Sequence, residues 1–86
     1  MAVAIDPATL GRLRWRARRG TLEMDAMLER WLQHRADYAE AAELDAFERL
    51  LACEDHLLQR WFLAYQACPD AELATLVEAI RALPAD

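Results

Sequence analysis

Serine and lysine are absent from the sequence, glycine and cysteine each occur twice, proline occurs three times, and no apolar run exceeds a few residues. Each shortage excludes something. Without serine there is no serine nucleophile, and no GxGxxG or phosphate-loop glycine pattern is present. Apolar runs of this length fall far short of the roughly 20 residues needed to cross a bilayer, and Met1 to Ile5 form no basic leader before an apolar core. A cytoplasmic protein without membrane insertion is expected. Cys53 and Cys68 stand outside any CxxC or His-rich spacing, so neither a disulfide framework nor a metal cage can be argued, and both read as ordinary helix or loop residues. His34 and His56 lie in different helical segments without a ligand set and read as exposed. No catalytic or metal-binding residue is assigned, and an enzyme is not expected.

What the chain does contain is helix-forming apolar residue. Of its 86 residues 56% are apolar, with leucine and alanine dominant. A single domain of this size buries roughly 60–65% of the surface of its unfolded chain, so stability must come from a dense core. Asp6-Pro7 supplies a capping side chain followed by a proline at the first helical position, and Leu10, Leu13 and Ala17 follow at helical spacing. The first helix is expected over 7–19, with Gly20 as its stop. Thr21 can cap a second helix over 21–35, with Glu23 and Asp25 at its positive end and the stripe Met24, Met27, Leu28, Trp31 and Leu32. A third, over 41–52, carries Leu44, Phe47, Leu50 and Leu51. A fourth, over 55–66, carries Leu57, Leu58, Trp61, Phe62 and Tyr65, and a fifth, over 70–83, carries Leu73, Leu76, Val77, Ile80 and Leu83. No strand pattern competes. The reading is all-α, a compact five-helix bundle in a single domain.

Charge is distributed unevenly. Residues 1–20 hold five arginines against one acid, a balance of +4, whereas the rest holds five arginines against fourteen acids, −9, giving the net −5. A basic end on an acidic body favours oriented docking on a protein. Arg12, Arg16 and Arg19 are spaced i, i+4 and i+7 and share one helix face, which could be a solvated face, a docking face or a nucleic-acid contact. The acidic remainder repels a polyanion, so nucleic acid is not expected. Trp31 and Trp61 sit in core stripes, but Trp15 lies off the apolar line and suits an exposed interface anchor. The turn Arg19-Gly20-Thr21-Leu22-Glu23 is explained by helix capping alone, yet it would also present a guanidinium and a carboxylate on a rigid corner.

Three blocks resemble the SdhE family, small factors that promote covalent attachment of FAD to the flavoprotein subunit of succinate dehydrogenase. They are Arg14–Asp25 with the RGxxE pattern, Phe47–Asp55 followed by Leu58 and Trp61-Phe62, and Asp70–Arg81. The likeness spans about residues 10–83; Thr21 departs from it, standing where a larger apolar residue is expected. The resemblance implies a partner, the flavoprotein subunit of succinate dehydrogenase or fumarate reductase, which itself carries the FAD, and no cofactor held by this chain. Attachment requires the flavin 8α-methyl to lose a proton while negative charge grows on the ring, so alignment and electrostatic stabilisation matter most. The resemblance places Arg19, Gly20 and Glu23 at the interface, with Arg12, Arg16 and Trp15 around them. The alternative that goes with this likeness is an antitoxin-like regulator that binds a toxin or a cytoskeletal partner. The oligomeric state is not legible.

Overall fold

The computed structural model describes residues 2–84. Five helices follow one another, α1 (Pro7–Arg16), α2 (Leu22–Arg35), α3 (Ala41–Leu51), α4 (Asp55–Phe62) and α5 (Ala71–Ala82). The all-helical expectation holds. One small addition escaped the sequence pattern: β1 (Ala2–Val3) pairs antiparallel with β2 (Ala39–Glu40), Ala2 opposite Glu40 and Val3 opposite Ala39. Two-residue strands are too short to show alternation. The ladder is extended by Ile5, whose N–H donates to the Ala36 carbonyl at 2.9 Å and whose side chain is buried.

Local chemistry explains the helix starts. The Asp6 carboxylate accepts from the Thr9 N–H at 3.2 Å, with Pro7 filling a position whose N–H has no intrahelical partner. The Asp70 carboxylate does the same for Leu73 at 3.0 Å. At α3 the Glu40 N–H donates back to the Glu43 side chain at 3.0 Å, while Arg35 pairs with the same carboxylate at 3.2 Å.

Two helix ends differ from expectation. The first helix stops at Arg16, three residues before the expected 19, because Arg19 is drawn away: its N–H donates to Asp25 and its side chain reaches the α3–α4 connection. Gly20, at φ +89°, shapes the corner after the helix instead of ending it. The fourth helix stops at Phe62, four residues before the expected 66. There the Tyr65 N–H donates to the Arg60 carbonyl at 2.9 Å and the Ala64 N–H to that of Trp61 at 3.2 Å, the paired bonds of a Schellman motif. Ala64 occupies the left-handed position at φ 62°, normally a glycine's, which is why the sequence gives no stop signal. Tyr65 is consequently thrown out of the apolar stripe and is 80% exposed.

The core is otherwise the one the stripes describe. Leu13, Leu28, Leu32, Leu50, Leu58 and Ile80 are fully buried, each contributing about 1.5–3 kcal/mol by leaving water. Trp31 of α2 stacks on Phe47 of α3 with centroids 4.4 Å apart and planes 14° from parallel. Helix α5 packs against α2, α3 and α4, and α1 lies along α2, leaving the other side of α1 to meet the end of α3. Among the described residues no polar or charged side chain is fully buried.

Candidate functional site

A helix C-terminus leaves carbonyls without intrahelical donors and carries partial negative charge. The arginine row of the first helix meets such an end. Arg12 pairs with Glu48 at 3.0 Å, and Arg16 donates to the Glu48 carbonyl at 3.4 Å. Arg19 goes furthest: Nε reaches Asp55 at 2.6 Å, Nη1 the carbonyls of Leu51 at 2.8 Å and Arg16 at 3.2 Å, and Nη2 the carbonyl of Cys53 at 2.7 Å. Five planar donors in a fixed fork suit this convergence of acceptors, and a lysine could not meet them all. The row is therefore an internal clasp from α1 and the turn after it onto the last turn of α3 and the start of α4, and only about a sixth of the Arg19 side chain stays exposed, 16%.

The corner behind the clasp is held by a residue to which sequence reading gave a lesser part. Asp25 accepts from the Arg19 N–H at 2.8 Å and the Gly20 N–H at 3.3 Å, one carboxylate oxygen to each. It was legible as an acid near a helix N-terminus, but its acceptance from the preceding loop was not. Thr21 stands at the capping position of α2 without capping through its side chain; its hydroxyl instead accepts from Gln59 of α4 at 3.2 Å. Between them Asp25, Arg19 and Gln59 tie the corner to α2, α3 and α4.

What faces outward is a second set. Gly20 and Glu23 are exposed, and Glu23 has no ion pair among the described residues. Trp15 is 74% exposed and Leu22 88%. These two line an open groove of about 580 Å³ between α1 and α2, with Gly11 and Arg18 among its other walls. Of the six residues named from sequence, Gly20, Glu23 and Trp15 are exposed, Trp15 alone of them in the groove wall, whereas Arg12, Arg16 and Arg19 turn toward the end of α3. Leu22, Arg18 and Gly11 join the outer set. An exposed leucine beside an exposed tryptophan was the missed signal, hidden because Leu22 stands between the RGxxE positions.

The thiols carry no such arrangement. Cys53 and Cys68 are free and half-buried. Burial pushes the Cys53 thiol above its ordinary pKa, with Cys68 nearby adding to the rise and Arg19 opposing it, so it is a poor nucleophile. His34 and His56 are exposed, as expected. Among the described residues no group of three or more His, Cys, Asp or Glu side chains could hold a metal ion, and no helix is long and apolar enough to cross a membrane.

Residues 11–84 match the family described as "Flavinator of succinate dehydrogenase". The chain belongs to that family. Relatives within it are named FAD assembly factor SdhE. That of Xylella fastidiosa (strain 9a5c) is 50% identical over 80 residues, covering 93% of this chain and 82% of the relative. That of Shewanella oneidensis is 39% identical over 74 residues, 84% and 88% of the two chains, and that of Idiomarina loihiensis 39% over 66 residues, 77% and 73%. The matched span of the flavinator family takes in the clasp, the corner and the groove together. The antitoxin-like reading draws no support from these relatives.

Proposed function

We propose that this chain assists covalent attachment of FAD to the flavoprotein subunit of succinate dehydrogenase, docking on that subunit through the outer face of the α1–α2 corner. The observation that carries the reading is a corner whose backbone is fixed from inside while Gly20, Leu22, Glu23 and Trp15 are left exposed. A surface held in one geometry before binding spends less affinity on ordering. The family description, a flavinator of succinate dehydrogenase, and relatives at up to 50% identity named FAD assembly factor support this reading.

The factor works in the cytoplasm and performs no redox or transfer chemistry of its own. The flavin stays with the partner, and the factor favours the partner conformation in which flavin and acceptor side chain are aligned. Gly20 lets the two backbones approach closely, and Glu23 offers an unpaired carboxylate to the partner's polar groups. Arg19 serves the interface from behind, with Arg12 and Arg16 supporting it.

The test is flavin fluorescence of the denatured flavoprotein subunit from a strain lacking this gene, alone and complemented. Covalent flavin should fall sharply without the gene and return with it. Unchanged covalent flavin overturns the proposal. Capture from native lysate, with mass spectrometry of the bound subunit, decides between succinate dehydrogenase and fumarate reductase as client.

A further inference from the structure

Four of the five arginines near the corner are already engaged, because Arg12 and Arg16 meet Glu48 of α3, Arg19 reaches the α3–α4 connection and Arg14 pairs with Glu29 of α2 at 3.0 Å. Arg18 is left exposed, without an ion pair among the described residues. It stands in the wall of the α1–α2 groove beside Trp15 and Leu22. An unpaired guanidinium next to exposed apolar surface is free to meet an opposite charge on another molecule.

Gly11 adds a second observation. It lies in the middle of α1 and lines the same groove, and a methyl group built on it meets nothing within 4 Å. Neither close packing nor a left-handed backbone therefore accounts for glycine there, although alanine is the better helix residue. What its missing side chain provides is depth in the groove.

We infer that this groove receives one apolar side chain of the flavoprotein subunit, lying over Gly11 between Trp15 and Leu22, and that a carboxylate beside it on the same partner pairs with Arg18. The inference rests on the docking proposed above and extends that surface along α1. Charge decides the polar half. Arg14 and Glu29 of the groove wall pair with each other and Asp25 is engaged by the corner backbone, so Arg18 is the groove cation left without an ion pair among the described residues, and a partner carboxylate complements it. Closure of the apolar contact would remove water from around the pair and strengthen it.

The experiment measures association of the purified chain with the flavoprotein subunit by titration calorimetry, with melting followed in parallel. The subunit is prepared from a strain lacking this gene, and the variants are Arg18→Glu, Gly11→Leu and Glu23→Ala. Arg18→Glu reverses the charge, and Gly11→Leu fills the groove from below. Each should weaken binding by about tenfold or more while helicity and melting stay at wild-type level for Arg18→Glu and at or above it for Gly11→Leu, which gains helix propensity. Arg18→Gln should also flatten the dependence of the association rate on salt. Wild-type affinity in both Arg18→Glu and Gly11→Leu, with Glu23→Ala weakened, overturns the groove and leaves the corner standing. Loss in only one of the two overturns the joint receptor. If the wild-type chain itself does not bind, the docking proposal falls with it. Should Gly11→Leu unfold, Leu22→Asp replaces it, and wild-type affinity there overturns the apolar half.

Discussion

The two faces of α1 use the same residue types to opposite ends. On one side Arg12 and Arg16 of α1, with Arg19 from the turn after it, meet Glu48 of α3, the carbonyls of Leu51 and Cys53, and Asp55 of α4. On the other, Trp15 of α1 and Arg18 of the turn after it meet solvent, together with Leu22 from α2. A shared helix and a shared positive charge do not make a shared role. What separates the faces is the neighbour: α1 leans one side on the negative end of α3 and presents the other to the groove. The clasp sets the corner, and the open face uses it.

The most forceful way to break this comparison is to remove one arginine from each side. Arg19→Ala strands the Leu51 and Cys53 carbonyls and Asp55 in a partly desolvated site, and should cost about 2–4 kcal/mol in urea unfolding. Arg18→Ala has no side-chain hydrogen bond or ion pair to lose among the described residues and should stay within about 0.5 kcal/mol of wild type. An Arg19→Ala chain of unchanged stability that no longer binds its partner would mean that Arg19 is a contact and not a clasp. Next in size is Asp25→Ala, which takes the acceptor from two backbone N–H groups and should cost about 1–2 kcal/mol, as the loss of a good helix cap does.

These expectations mark how far the sequence could be read. Helix starts were legible because Asp6-Pro7 and Asp70 act on residues three positions away, and the apolar stripes of all five helices point into the core where the 3.6 period puts them. The end of α1 was not, since its cause lies 32 to 36 residues further on, in Leu51 and Asp55. For the same reason spacing showed that Arg12, Arg16 and Arg19 share a face but not what that face meets. The end of α4 was missed for a different reason: Ala64 does a glycine's work without a glycine's signature. Gly11 and Ala64 are mirror cases. Gly11→Ala should raise stability by about 0.5–1 kcal/mol through helix propensity, and Ala64→Gly by about 1 kcal/mol through relief of the left-handed backbone. Thermal melts of the two single variants and the double should add, because the sites share no contact.

The smallest expected effect separates charge-to-carbonyl from charge-to-carboxylate contacts at the two sides of α3. Carbonyl acceptors do not titrate, so the bonds from Arg19 to Leu51 and Cys53 persist in acid. Arg49 of α3 instead reaches Asp70 at 3.2 Å, the residue that caps α5. The Leu73 N–H, followed by the Arg49 charge and the Glu72 N–H, holds the Asp70 carboxyl below its ordinary pKa of 3.8. A depressed carboxyl favours the folded state when ionised, so its contribution is complete well above pH 3.8 and is lost as pH falls below that value toward the folded pKa. Asp70→Asn should keep the cap in part while removing that titration. Urea midpoints compared between pH 6 and about pH 3 should therefore fall less for the variant than for wild type. Equal slopes would mean that Arg49 and the α5 cap hold the carboxyl no more tightly than water does, and the acid sensitivity of the α3–α5 contact would then belong to other carboxylates.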